Sequence, residues 1–318
     1  MNVTQESLDI LYEMFRFTFL DPYIIKHHPR LFTLASAIYN TIYIEPYQQS
    51  IVLEEIPIKT LLQLEEEFLL SLKKEYKDLF VKDYKEGKII RIRNQNGDGT
   101  YRKILFLEKY EVEFPEQNNL DSLIALTHEY LHALSDKFPK RKEETSAYEV
   151  YTEMLSFLGE LKHLDFLEKK LIPHEKIELY KQSYIKRLKA KFDAFLFTEP
   201  LLSVYHENKN FKINHIEDLI ENNPYYKTLG RKKVEKRIIA ITRKCNIDRL
   251  EQDIEEYRYI LGIARTCHLH QNKISNKEFV KLIEKINEVE VDEFEKMLPM
   301  ISDIDLVKAA QKEFVLKK

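Results

Sequence analysis

The stretch Thr127-His128-Glu129-Tyr130-Leu131-His132 decides how the rest of the chain is read. Its neighbours Leu120, Leu123, Ile124, Leu131 and Leu134 recur at helical spacing, and no proline interrupts them. On a helix, residues i and i+4 share a face one turn apart. The imidazoles of His128 and His132 can therefore reach one zinc ion, each at about 2.0–2.1 Å. Glu129 is turned about 100° away from His128, so it flanks such an ion and does not ligate it. From there it can take a proton from an activated water, as a general base does in metal-assisted hydrolysis. With 10 His and 38 Glu in 318 residues, random placement yields roughly 0.04 H-E-x-x-H motifs per chain. The flanks Ala125, Leu126, Tyr130, Leu131, Ala133 and Leu134 are uncharged, unlike those of an accidental surface motif.

Two histidines are an incomplete set, because a catalytic zinc needs a third protein ligand and an open position. The longer H-E-x-x-H-x-x-G-x-x-H pattern is absent, since Ser135 and Phe138 stand where its Gly and last His would be. The chain has only Cys245 and Cys267, so a zinc here must be held by His and Glu, which favours a catalytic over a structural site. A second helix is predicted from about Glu143 to His163, packed antiparallel to the first across a short loop. Its Glu143, Glu144, Glu149, Glu153 and Glu160 are the candidates. The ligand should lie one to two turns into that helix, a condition Glu149 meets, with Glu144 too close to the loop and Glu160 too far along. Glu153, one turn on, suits a carboxylate that accepts the free N–H of a ligating histidine.

His128-Glu129-Tyr130-Leu131-His132, followed seventeen residues after His132 by Glu149-Val150-Tyr151-Thr152-Glu153, resembles the gluzincin zinc metallopeptidases. Thermolysin-like members carry a Glu-x-x-x-Asp segment in that place; here a Glu replaces the Asp and the spacing is a few residues short. The resemblance spans about 35 residues. It implies that His128, His132 and Glu149 bind zinc, with Glu153 supporting a histidine and the choice between Glu149 and Glu153 open. It also implies Glu129 as general base and later proton donor. Downstream, Glu256-Tyr257-Arg258-Tyr259-Ile260-Leu261-Gly262 is similar to the Tyr-rich helix of thimet-oligopeptidase-like enzymes. That similarity would make Tyr259, or Tyr257, a hydrogen-bond donor to the tetrahedral oxyanion. His206 or His215 is a further candidate for that role.

Outward from the motif, helices are predicted over 5–20, 31–42, 60–84, 174–195, 231–244, 247–270, 276–289 and 303–315, with loops at 197–200, 207–214 and 221–224. Residues 51–58 lean towards β. Lys88–Arg93 and Tyr101–Val112 read as a hairpin joined by the turn at 94–100, and in gluzincins an edge strand there binds extended peptide by strand addition. The turn Asn94-Gln95-Asn96-Gly97-Asp98-Gly99 imitates a calcium loop, but the twelfth position, where a bidentate Glu belongs, is Leu105. Ser275 with Glu278 reads as a capping box. The basic run Arg231, Lys232, Lys233, Lys236, Arg237 reads as a solvated helix face.

Composition sets the outer bounds. Six Gly and 10 Pro in 318 residues exclude collagen-like and linker-like chains and long disorder. Fifty Lys+Arg against 53 Asp+Glu show no basic surplus of the kind a nucleic-acid binder carries. No run of 18 apolar residues and no basic, apolar leader is present, so neither a membrane span nor a Sec signal is expected, and the location predicted is cytoplasmic. The expectation is a mostly α, α+β chain with a zincin-like catalytic core. Residues 1–170 would carry the hairpin and the H-E-x-x-H helices, and residues 171–318 would form a helical lobe closing the cleft. It would hydrolyse peptide bonds in a peptide or protein substrate with Zn²⁺. The alternative is a non-catalytic helical interaction protein with an incidental or structural zinc site.

Overall fold

A computed structural model of the chain describes residues 3–18, 22–42, 55–93, 99–104, 109–137, 146–170 and 172–314. The chain is mostly helical with one small three-stranded sheet, the α+β class expected. The calcium-like turn at 94–98 and most of the loop between the two motif helices lie outside the described residues. No helix among the described residues is long and apolar enough to cross a membrane.

The elements in order are α1 (Gln5–Phe17), α2 (Pro22–Tyr39), α3 (Ile58–Leu72), α4 (Lys74–Lys85), β1 (Ile89–Ile92), β2 (Thr100–Ile104), β3 (Lys109–Pro115), α5 (Leu120–Lys137) and α6 (Ser146–Lys169). There follow α7 (His174–Asn208), α8 (Ile213–Asn222), α9 (Pro224–Leu229), α10 (Arg231–Lys244), α11 (Ile247–Glu255), α12 (Tyr257–Gln271), α13 (Asn276–Lys285), α14 (Val291–Met297) and α15 (Asp303–Phe314). The chain forms two compact units, each built from two stretches: 1–42 with 187–260, and 43–186 with 261–318. The expected halves, 1–170 and 171–318, are a different cut of the same chain.

In the first unit Phe15 and Phe211 pack with their rings 5.6 Å apart, and Phe15 stacks on Tyr205. Asp193 accepts hydrogen bonds from Arg237 Nη1 at 2.8 Å and from the Tyr225 hydroxyl. Arg237 also lies over the Phe197 ring at 4.0 Å. It therefore leaves the solvated face predicted for the basic run, while Arg231, Lys232 and Lys233 stay exposed. The loop predicted at 197–200 is instead the interior of α7. Proline removes one helical N–H, yet the helix continues through Pro200 because Phe197, Thr198, Glu199 and Leu201 are all buried. The Phe197 carbonyl finds a partner outside the helix, the Tyr226 hydroxyl at 2.7 Å.

The second unit holds the sheet, in the order β1-β3-β2. This corrects the predicted hairpin. β1 does not pair with β2 across the 94–100 turn. It lies parallel to β3, with Ile89 opposite Val112, while β2 and β3 form the antiparallel pair, Tyr101 opposite Val112. The run 101–112 therefore contributes to two strands, β2 and β3. The predicted helix 60–84 is likewise two helices. Lys73 is extended between them (φ −161°, ψ 136°), and its Nζ reaches Glu284 on α13 at 2.7 Å. The predicted helix 247–270 is also two helices, α11 and α12, but Glu256 between them keeps helical dihedrals (φ −57°, ψ −11°).

Local signals hold where they are chemical. Asn119 Oδ1 accepts the Ser122 N–H at 3.0 Å and so caps α5. Ser275 and Glu278 form their capping box at the start of α13. Behind α5, buried Asp83 of α4 accepts the Tyr130 hydroxyl at 2.8 Å, the Tyr110 hydroxyl of β3 and Lys88 Nζ at 3.3 Å. Tyr130 lies inside the motif, so this cluster ties the motif helix to α4 and the sheet.

Candidate metal centre and its carboxylates

α5 and α6 pack side by side. Thr127 meets His163, Leu131 meets Gly159 and His132 meets Glu153. Rising numbers on α5 meet falling numbers on α6, so the helices are antiparallel. The helical period puts His128 and His132 on the face of α5 turned to α6, with ring centroids 4.9 Å apart.

Three donors converge between the helices. His128 Nε2 and His132 Nε2 are 3.2 Å apart, His128 Nε2 is 3.3 Å from Glu153 Oε2, and His132 Nε2 is 3.7 Å from Glu153 Oε1. Two nitrogens each about 2.0–2.1 Å from a tetrahedral zinc stand about 3.3–3.4 Å apart. The three edges bracket that separation, so two imidazoles and one carboxylate fit the shape and the chemistry of a zinc site. Glu149 is outside this group. It sits half-buried in the first turn of α6. The predicted start of that helix, near Glu143, and the candidates Glu143 and Glu144 lie outside the described residues.

A second carboxylate also reaches His128. Glu160, which the spacing argument set aside, is 5% exposed and its Oε1 lies 2.5 Å from His128 Nδ1. A carboxylate on Nδ1 leaves Nε2 facing the other two donors. Phe157 closes one side of the His128 ring at 5.0 Å. Tyr101 lies beside the His132 ring at 6.4 Å and donates its hydroxyl to Asp136 Oδ2 at 2.6 Å.

Charge inside the site is uneven. Burial opposes a charge on His128, but hydrogen bonds to Glu153 and Glu160 outweigh it and raise its pKa well above the usual value. His132, buried beside that cation, is pushed down to about 4, with Glu153 only partly compensating. Glu129 is raised to about 7, first by burial and further by Glu153 and Glu160, against the lowering effects of His128 and of the Tyr101 backbone N–H that its carboxylate accepts.

Gly99 explains how β2 comes close enough to offer that N–H. A Cβ at Gly99 would stand 2.6 Å from Glu129 Cγ and 2.8 Å from the Glu113 carbonyl oxygen. Sequence reasoning assigned Gly99 to a turn; its work is close approach. A further group missed by the sequence lies behind the motif, all fully buried. Thr127 Oγ1 donates to Glu65 Oε2 at 2.6 Å and lies 2.7 Å from His163 Nδ1, whose ring stacks on Phe68 at 4.1 Å. Burial raises Glu65 to about 8 and lowers His163 to about 3, so both are neutral near pH 7.

The remaining candidates lie in the first unit. Tyr259 is half-buried on α12 with Lys191 Nζ 3.8 Å over its ring, and Tyr257 is buried. His206 is exposed near the end of α7, and His215 caps α8, its Nδ1 accepting the Lys212 N–H at 3.3 Å.

No protein-family model matches the chain, and no curated protein matches it. Two solved structures do. A protein named as an oligoendopeptidase F from Bacillus anthracis matches with a TM-score of 0.57 at 14% identity, covering 95% of this chain and 56% of that one. A protein named as a peptidase from Chlamydophila abortus matches with a TM-score of 0.48 at 13% identity, covering 98% and 55%. The first shares the fold; the second is too distant to carry an argument. The chain spans little more than half the length of either.

Proposed function

We propose that this chain is a zinc-dependent peptidase in which His128, His132 and Glu153 hold the metal and Glu129 is the general base. The observation that carries the reading is the triangle of two Nε2 atoms and one carboxylate, with edges of 3.2, 3.3 and 3.7 Å, flanked by a half-buried Glu129. When bound, zinc supplies Lewis acidity that makes a water nucleophilic near neutral pH and polarises a carbonyl. Glu129, raised to about 7, accepts the proton of the attacking water and returns it to the leaving amine. Glu160 fixes the ring of His128 through Nδ1. β2 is an edge strand, so a peptide in extended form can add to it by backbone hydrogen bonds. The fold likeness to a protein named as an oligoendopeptidase supports the same substrate class. Tyr259 enters the proposal as oxyanion donor on its motif likeness alone.

His128, His132 and Glu153 make a set of three donors with no cysteine; a second set, Glu168, His174 and Glu178, lies on exposed and half-exposed positions. The first set leaves room for the open position a catalytic ion requires and a structural one lacks. The test is metal analysis combined with hydrolysis of a peptide library. Glu129→Gln should keep zinc and lose hydrolysis, and His132→Ala and Glu153→Ala should lose zinc. Glu149→Ala should keep both. Zinc lost in Glu149→Ala and kept in Glu153→Ala would reverse the ligand assignment, and a wild-type chain unable to take up zinc would end the proposal.

A further inference from the structure

α12 meets α6 through Gly262. A Cβ there would stand 3.2 Å from both the Met154 amide nitrogen and the Val150 carbonyl oxygen, and 3.5 Å from Glu153 Cβ. The two nearest atoms are backbone, so neither can rotate aside. One turn further along α12, Thr266 Oγ1 donates to the Met154 carbonyl oxygen at 2.7 Å in a buried position. The helix therefore lies in backbone contact with residues 150–154, the turn of α6 that carries Glu153.

A glycine inside a helix costs about 0.5–1 kcal/mol relative to alanine. Positive φ does not account for it, because Gly87 and Gly230 are the glycines with that conformation among the described residues and Gly262 is not. Close approach does account for it. Gly159 offers a contrast: its Cβ would meet Leu131 Cδ1, the end of a side chain, not the backbone of the carboxylate's turn.

We infer that Gly262 is a positioning residue: it sets the spacing between α12 and α6 and thereby the place of the Glu153 carboxylate relative to His128 and His132. This rests on the reading of those three residues as the metal group. An alanine at 262 must push the turn 150–154 or tilt α12. Either movement shifts Glu153 against a donor triangle whose sides are only 3–4 Å.

The test uses the full chain with zinc affinity measured by chelator competition, the visible spectrum of the cobalt-substituted protein, and the melting temperature of the metal-free form. Gly262→Ala should weaken zinc binding about tenfold or more, the scale seen when support of a ligand is lost, and should alter the cobalt spectrum. Thr266→Val, which removes one hydrogen bond from the same seam without adding bulk, should weaken binding about threefold. Leu306→Ala, a truncation in the core contact of α15, serves as the stability control and should leave zinc affinity unchanged even where it lowers the melting temperature as much. Gly262→Ala binding zinc like the wild type, or losing affinity only in step with Leu306→Ala, would overturn the inference. If Gly262→Ala does not fold, Thr266→Val decides: unchanged affinity and an unchanged cobalt spectrum overturn it. Wild-type protein that binds no zinc defeats the metal reading itself, a result seen before any variant is made.

Discussion

Glu160 Oε1 sits 2.5 Å from His128 Nδ1, two turns of α6 beyond Glu153, so one imidazole is held from both of its nitrogens by carboxylates of a single neighbouring helix. Outer carboxylates of this kind commonly contribute 10- to 100-fold to metal affinity. Glu160→Ala should lower zinc affinity by about that factor. Glu160→Gln, which keeps an acceptor for Nδ1–H, should lower it less. Isothermal titration or chelator competition measures both, and wild-type affinity in Glu160→Ala would rule out the tether.

Glu129 must be ionised to act as a base, so kcat/KM should rise with pH as its proton is lost. Burial holds its pKa at about 7 in the metal-free protein, and a bound cation favours the carboxylate and lowers it. The acid limb of the pH–rate profile should therefore fall above the ordinary carboxylate value near 4.5 and no higher than about 7. A profile flat across that interval would remove Glu129 from the role.

Gly99→Ala forces either Glu129 or the start of β2 to move, since the added carbon has no room beside Glu129 Cγ or the Glu113 carbonyl. Displacement of a catalytic group by about 1 Å can cost about 100-fold. We expect kcat to fall about 10- to 100-fold with zinc content unchanged. Steady-state kinetics with metal analysis on the same samples checks both, and an unaltered kcat would refute the crowding argument.

His270 of α12 bridges Asp165 of α6, at 3.0 Å from Nε2, and Glu313 of α15, at 3.1 Å from Nδ1. Burial disfavours its charge, but the two carboxylates prevail and raise its pKa to about 9. Raised in the folded state, it contributes stability that is complete below the unfolded value near 6.5 and is lost as pH climbs through about 9. The contribution is about 3–4 kcal/mol at 1.4 kcal/mol for each pKa unit. His270→Gln should lower the melting temperature markedly at pH 6 and little at pH 10; equal losses at both would contradict the bridge.

How much of this was legible beforehand follows the range of each interaction. The facing of His128 and His132 on α5 was readable because i and i+4 spacing is local, and the antiparallel partner was readable because the intervening stretch of sequence is short. Between Glu149 and Glu153, spacing along one helix could not decide, because which carboxylate comes within 4 Å of the two imidazoles depends on how the two helices pack. The sheet was misread because the parallel pairing of Ile89 with Val112 joins strands that are not neighbours in sequence, whereas hairpin rules assume that they are. Pro200 stood as a helix breaker until burial of its neighbours was known. Gly99 and Gly262 gave no signal at all, because close approach is a property of the partner's backbone.

The buried contact of Thr127 with Glu65 and His163 sets a chemical interval within which the motif helix keeps an uncharged backing. Its upper edge is the ionisation of Glu65 at about 8 and its lower edge the protonation of His163 at about 3. Beyond either edge an ion would have to sit unsolvated one residue from His128. Within that interval His128 can change its charge while the buried cluster at its neighbour Thr127 stays uncharged.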